Sequence, residues 1–335
     1  MDLHDLDGQL AGPRVHPGAN ADRARRAGQP ADGRRHPGAF GKHGLLFAAA
    51  YVGLQVGRNL GGLLLLRRKH PLGNTFEHLL AWSVMAGVLW LAGAFLHGGD
   101  RIILWAPALL IELAAPLVWY WLPGRGGLSD IGHPVDGAQF AERCQGFIII
   151  ALGESIVVTG ATAARAGLTA AAVGALAIAF LETSALWWLY FGEVAIHSRR
   201  QMGESEDATG MARDGYTYLH LPIVAGIILS AVGTDYLIGA PGRTLNAGQA
   251  AVTLAGPIVY LAGELAFRIR MIHRTNNKRT LAILVLLALG AVATRIPVWV
   301  LAVIITAALT ALAVWEYEPG QSRLRQLIAA RHPSP

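Results

Sequence analysis

Apolar residues fill this chain in long blocks separated by short polar stretches. Nine blocks stand out, at 43–66, 77–97, 102–122, 144–163, 169–192, 216–239, 248–270, 280–294 and 297–315. A helix needs about 20 residues at 1.5 Å each to cross a hydrocarbon core of about 30 Å. Most blocks reach that length. None alternates with a period of two, and backbone in lipid is satisfied only in helices or closed barrels. The pattern therefore predicts an all-α, polytopic transmembrane helical bundle of about nine spans. The eighth block is short and Pro297 follows it closely, so it reads as a half-span forming a hairpin with the ninth.

Composition agrees. The 335 residues are 53% hydrophobic and 15% charged, with a mean hydropathy of +0.41. A soluble domain carries about 25% charge. One cysteine, Cys144, excludes an internal disulfide and a thiolate metal cluster. No cleavable secretory signal is visible. The net charge of +6 does not indicate nucleic acid, because the basic residues lie in short loops between apolar blocks.

Those loops set an orientation. Sixteen Lys and Arg fall in one alternate set: 67–69, Arg125 and Arg143, Arg199, Arg200 and Arg213, 268–279, and the C-terminal tail. The opposite loops hold four: Arg101, Arg165, Arg243 and Arg295. By the positive-inside bias the first set and the C-terminus are cytoplasmic. Aromatic residues at 119–121, 187–191 and 216–218 fall at the assigned inner ends, as an interfacial belt would.

The chain divides into a polar, basic tail at 1–36, a membrane domain at 37–318 and a C-terminal tail at 319–335. The N-terminal tail holds six arginines on the side that the loops assign outside. It reads as disordered or out of frame. Met1-Asp2 forces tryptophan as the first codon of the +1 frame. Allowed codons for the following residues can spell an apolar span ending near Pro37. The expectation is an N-terminally truncated or frameshifted product.

Candidate chemistry comes from depth. Glu112 lies about three helical turns into the third block, Glu154 about three turns past Arg143, and Glu182 between three and four turns into the fifth. All three fall about 15–20 Å deep, near the midplane. An acid there costs roughly 2.5 kcal/mol or more, so it needs a partner or a job. Arg58, about two turns from the inner end of the first block, is the basic residue placed well inside a span and the candidate counter-charge. Such groups carry protons or coordinate ions, or they join helices as neutral pairs. Small-residue stripes, Gly53, Gly57 and Gly61, and Gly146, Gly153 and Gly160, predict close helix packing, with Glu154 beside the second facing protein. Secondary candidates are His220, read as an interfacial polar residue, Asp235 near an outer end, and Glu264, read as a local pair with Arg268 one turn on. Glu77 and His78 read as the polar end of a span.

The segment 140–163, FAERCQGFIIIALGESIVVTGATA, contains Glu142, Arg143, Gly153, Glu154 and Ser155 in a pattern that resembles the bacterial low-temperature-requirement A (LtrA) family. AYVGLQVGRNL at 50–60, WWLYF at 187–191 and YLHLPIVAGIILSAVG at 218–233 resemble it too. The resemblance covers about residues 37–316. It implies a multipass protein of the bacterial inner membrane, linked by the family's name to growth in the cold, and supplies no substrate or reaction.

The functional reading is a transporter-like, ion- or proton-coupled membrane protein. Its partners are the bilayer and an ion or small molecule, with no nucleic acid, metal or other cofactor implied. A membrane-embedded enzyme is one alternative, against which the spans show no HExxH, GxSxG or histidine cluster. A non-transporting scaffold or stress-adaptation factor is the other.

Overall fold

A computed structural model describes residues 43–66, 71–128, 137–167, 169–194, 208–273 and 275–317. The polar tails at 1–36 and 319–335 lie outside the described residues. The chain forms two compact units, Met1–Gly132 and His133–Pro335.

The first unit holds three helices, α1 (Gly44–Leu66), α2 (Pro71–Ala94) and α3 (Ile102–Leu117). Its core is aromatic. Trp90 and Trp105 pack at 5.3 Å between ring centroids, with Tyr51 5.2 Å from Trp90. Arg101, 6% exposed, closes the α2–α3 turn, its Nε donating to the Leu96 carbonyl at 2.8 Å. A cation thus satisfies carbonyls that a helix C-terminus leaves open.

The second unit holds α4 (Gly137–Ala166), α5 (Ala170–Leu189), α6 (His220–Gly239), α7 (Ala247–Ile272), α8 (Asn277–Leu289) and α9 (Val298–Glu316). Helix starts are written into the sequence. Thr169 caps α5 by accepting from the Ala172 N–H, and Asn246 with Gln249 forms a reciprocal capping box on α7. Two π-helical segments, Tyr190–Val194 and Ala212–Tyr218, extend α5 and lead into α6.

The α6–α7 contact is built on glycine. A Cβ on Gly226 would stand 2.5 Å from the Tyr260 backbone nitrogen, and one on Gly263 2.9 Å from that of Ile223. Missing side chains let the backbones close, the usual device where lipid supplies no hydrophobic drive between helices. The stripes that stand out in the sequence do not do this. No atom lies within 4 Å of a Cβ placed on Gly53, Gly57, Gly61, Gly146, Gly153 or Gly160.

The fold class is all-α, as expected, but about nine spans is too many. Six helices among the described residues are long and apolar enough to cross a membrane. α1 has the length but carries Gln55, Arg58 and Asn59. α3 has only 16 residues and α8 only 13. The turns after α8 lead directly into α9, so the expected half-span hairpin is present as a short helix leading into a full one.

Candidate functional site

The four residues expected near the midplane have different surroundings. In the first unit, Glu112 on α3 accepts from the Tyr51 hydroxyl at 2.7 Å and from Trp90 Nε1 at 3.2 Å. Gln55 Nε2 reaches the same Tyr51 hydroxyl at 3.4 Å. The carboxylate is half-buried and held as an acceptor by two aromatic donors. Arg58 is exposed on α1, with no ion pair to Glu112. The next residue, Asn59, is 1% exposed and donates to Ser83 Oγ at 2.8 Å.

Glu77 and His78 are more than a polar helix end. His78 is fully buried with Nδ1 2.9 Å from the Tyr120 carbonyl oxygen, and Glu77 pairs with Arg125.

In the second unit, α5 is apolar on every side, and Glu182 is 9% exposed within it. Ser230 of α6 faces it, although its hydroxyl closes no hydrogen bond with the carboxylate or any other group. Glu154 is exposed on α4. The buried face of that helix carries Ile148, Leu152, Ser155 and Thr159, so the expectation that Glu154 faces protein does not hold within this unit. The neighbouring hydroxyls turn inward onto their own helix, Ser155 donating to the Ala151 carbonyl at 3.0 Å and Thr159 to that of Ser155 at 2.6 Å. Glu142 and Arg143 are exposed, and Gly153 is half-buried. A groove of about 410 Å³ between α4 and α5 includes neither Glu154 nor Glu182 in its lining. Its hydroxyl-bearing Thr159 and Thr183 satisfy backbone carbonyls, so its wall is apolar.

The strongest polar constellation is made of residues that the sequence presents as a loop cation and a local pair. Arg279 of α8, counted among basic loop residues, is fully buried. Its Nη1 donates to Glu264 Oε2 at 2.7 Å, and its Nη2 to Glu316 Oε2 at 2.8 Å and to the Leu189 carbonyl at 3.0 Å. Its Nε donates to Glu316 Oε1 at 3.0 Å. Glu264 therefore pairs across helices, not with Arg268 one turn away. The Tyr260 hydroxyl lies 3.1 Å from Glu264 Oε1 and 2.6 Å from the Leu186 carbonyl oxygen. Leu186 is one turn along α5 from Glu182. Polar groups thus run from the Leu186 carbonyl past Tyr260, Glu264 and Arg279 to Glu316 at the end of α9. The fork of one guanidinium joins α5, α7, α8 and α9 through four hydrogen bonds, one more than the three donors of a lysine could supply. The one hint in the sequence is a polar α8 start, Asn277-Lys278-Arg279, immediately before an apolar run.

His220 is also corrected, from interface to core. It is 5% exposed, stacked on Tyr216 and edge-on to Phe267. Tyr190 donates its hydroxyl proton to Nε2 at 2.7 Å, and Nδ1 lies 3.2 Å from the Gly215 carbonyl, which makes Nδ1 the protonated nitrogen. The first π-helical segment thus meets the start of α6 through a Tyr–His bond, and the same ring reaches Gly215 of the second π-helical segment. Asp235 is half-buried near the end of α6, with Oδ1 buried and unpartnered. Among the described residues no group of three or more His, Cys, Asp or Glu is arranged to hold a metal ion.

Comparison with known proteins places this arrangement. An uncharacterized protein of Rhizobium meliloti strain 1021 is 36% identical over 230 residues, covering 68% of this chain and 56% of the relative. The chain therefore spans little more than half the length of that relative. No solved structure matches. The family model described as bacterial low temperature requirement A protein matches residues 35–314, across both compact units. The chain belongs to the bacterial low temperature requirement A family.

Proposed function

We propose that this chain is an ion-coupled, transporter-like membrane protein in which buried intramembrane carboxylates carry protons or hold a cation. The observation that carries the reading is Glu182. It is 9% exposed on an apolar helix, and among the described residues no cation contacts it. An uncompensated acid near mid-span costs roughly 2.5–3.5 kcal/mol, a cost that an ion-handling role would explain. The polar groups from Tyr260 to Glu316 begin at the Leu186 carbonyl, one turn from that acid, and in this reading lead toward one end of the bundle. Exposed Glu154 is a further carboxylate of the same unit, and Glu112, held by two donors, and exposed Arg58 are separate candidates in the first unit. In this reading the protein sits in the bacterial plasma membrane with its C-terminus cytoplasmic, the orientation that the bias of the basic loops favours.

Purified protein in liposomes, loaded with a pH-sensitive dye and driven by an imposed potential, tests the reading. Ion flux that Glu182→Gln reduces at least about tenfold, with protein yield unchanged, supports it. Flux indistinguishable from empty liposomes rejects it.

A second reading is a non-transporting scaffold serving cold or stress adaptation. The Arg279 network favours it, since a cation holding four helices together serves stability directly. Absent flux together with strong destabilisation on breaking that network is its signature.

A further inference from the structure

The surroundings of Glu182 specify an ion more closely than a buried acid alone. Ser230 of α6 is 6% exposed, and its hydroxyl has no hydrogen-bond partner although it faces the Glu182 carboxylate. Space for that hydroxyl comes from α7. A Cβ on Gly256 would stand 2.6 Å from Ser230 Oγ, so any larger residue would displace it. The next residue, Pro257, lies inside α7 and has no N–H. The Thr253 carbonyl therefore loses its intrahelical donor. Thr253 packs on α6 one turn away, its Cα 3.2 Å from the Cβ position of Gly233. Helical carbonyls point toward the C-terminus, so this one is directed to the Gly256–Pro257 level. The Glu182 carboxylate and the Ser230 hydroxyl thus lie together, and the released carbonyl belongs to the stretch of α7 that packs on Ser230 and Gly233 of α6.

Each is a hard oxygen donor, and together they carry one negative charge. That set matches a small monovalent cation. A divalent ion would remain half-neutralised, and a soft metal would need sulfur or imidazole. Irregular backbone at membrane depth is tolerated where it serves an ion or a cavity. We infer that Glu182, Ser230 and the Thr253 carbonyl form a binding site for a dehydrated sodium-sized cation. This inference rests on the ion-coupled reading above and names its ion.

The test uses the full chain in detergent, with sodium replaced by choline at constant ionic strength and pH. Thermal unfolding and radioactive sodium binding are both read. Wild type unfolds at a higher temperature as sodium rises, with saturation. Ser230→Ala and Pro257→Ala, the second restoring the missing N–H, each raise the half-saturating sodium concentration about tenfold or more. Glu182→Gln abolishes the response, and Glu182→Asp serves if that variant does not fold. Equal behaviour of wild type in sodium and choline overturns the inference. So does a sodium response that survives Glu182→Gln and Pro257→Ala. A protein that moves protons in liposomes yet ignores sodium overturns the cation site while leaving the transport reading standing.

Discussion

Arg279 Nη1 donates to Glu264 Oε2 at 2.7 Å, and both side chains are completely buried. The two residues stand on neighbouring helices, α8 and α7. With Glu316 on the guanidinium's other edge, the short helix α8 is fixed to α7 and α9 by charge as well as by apolar contact.

Breaking this pair is expected to be costly. Arg279→Met leaves buried Glu264 and half-buried Glu316 without their cation, and removing one partner of a buried pair costs about 3–5 kcal/mol. Arg279→Lys keeps the charge but not the fork, so it falls between wild type and Arg279→Met. Adding Glu264→Gln to Arg279→Met recovers part of the loss by removing one orphaned charge. Monodispersity and thermal unfolding of the three variants rank them. A double variant no better than the single one would falsify the pairing as the source of stability.

Gly226 and Gly53 should respond oppositely to alanine. A Cβ at Gly226 meets the Tyr260 backbone, which has no rotamer to shift, so α6 and α7 must part. Overpacking of this kind costs about 1–3 kcal/mol or more. A Cβ at Gly53 meets nothing, and alanine is the better helix former there by about 0.5–1 kcal/mol. Thermal unfolding of both variants decides. Equal destabilisation would show that the Gly53 stripe is covered in the intact protein.

The aromatic grip on Glu112 can be loosened one donor at a time. Tyr51→Phe removes the hydroxyl at 2.7 Å and keeps the ring against Trp90. A hydrogen bond to a charged group is worth about 1.5–3 kcal/mol, so the first unit should lose that much. Trp90→Phe removes a longer bond as well as ring area and costs at least as much. Limited proteolysis within α1 and α2 reports the loss. Unchanged protection in Tyr51→Phe argues that water satisfies Glu112 instead.

Topology is checked by fusion. A reporter active only in the cytoplasm is expected to work after Pro335 and, where α8 with the turns after it crosses to the far side, to fail within 240–247, between α6 and α7; activity at both positions would mean that α8 does not cross. Opposite signals at both positions would reverse the bundle.

Much of this was legible in one dimension. Apolar blocks long enough for the bilayer, without two-fold alternation, determine helices in a membrane, because lipid offers the backbone no other partner. The fixed rise of a helix converts position along the chain into an expected depth, which singled out Glu112, Glu154 and Glu182 as candidates. Which way each group faces was a different matter. α5 is apolar all round, so nothing in its sequence says that Glu182 points inward. Glu154 and Ser155 are neighbours, yet the first is exposed and the second buried. The glycines that close α6 on α7 are spaced no more tellingly than the stripes that touch nothing. Arg279 looked like one more loop cation, because a charge count along the chain does not register the two carboxylates and one carbonyl that other helices bring to it. Depth is a property of a single helix and can be counted along it, whereas facing depends on the neighbours, and only the packed structure supplies those.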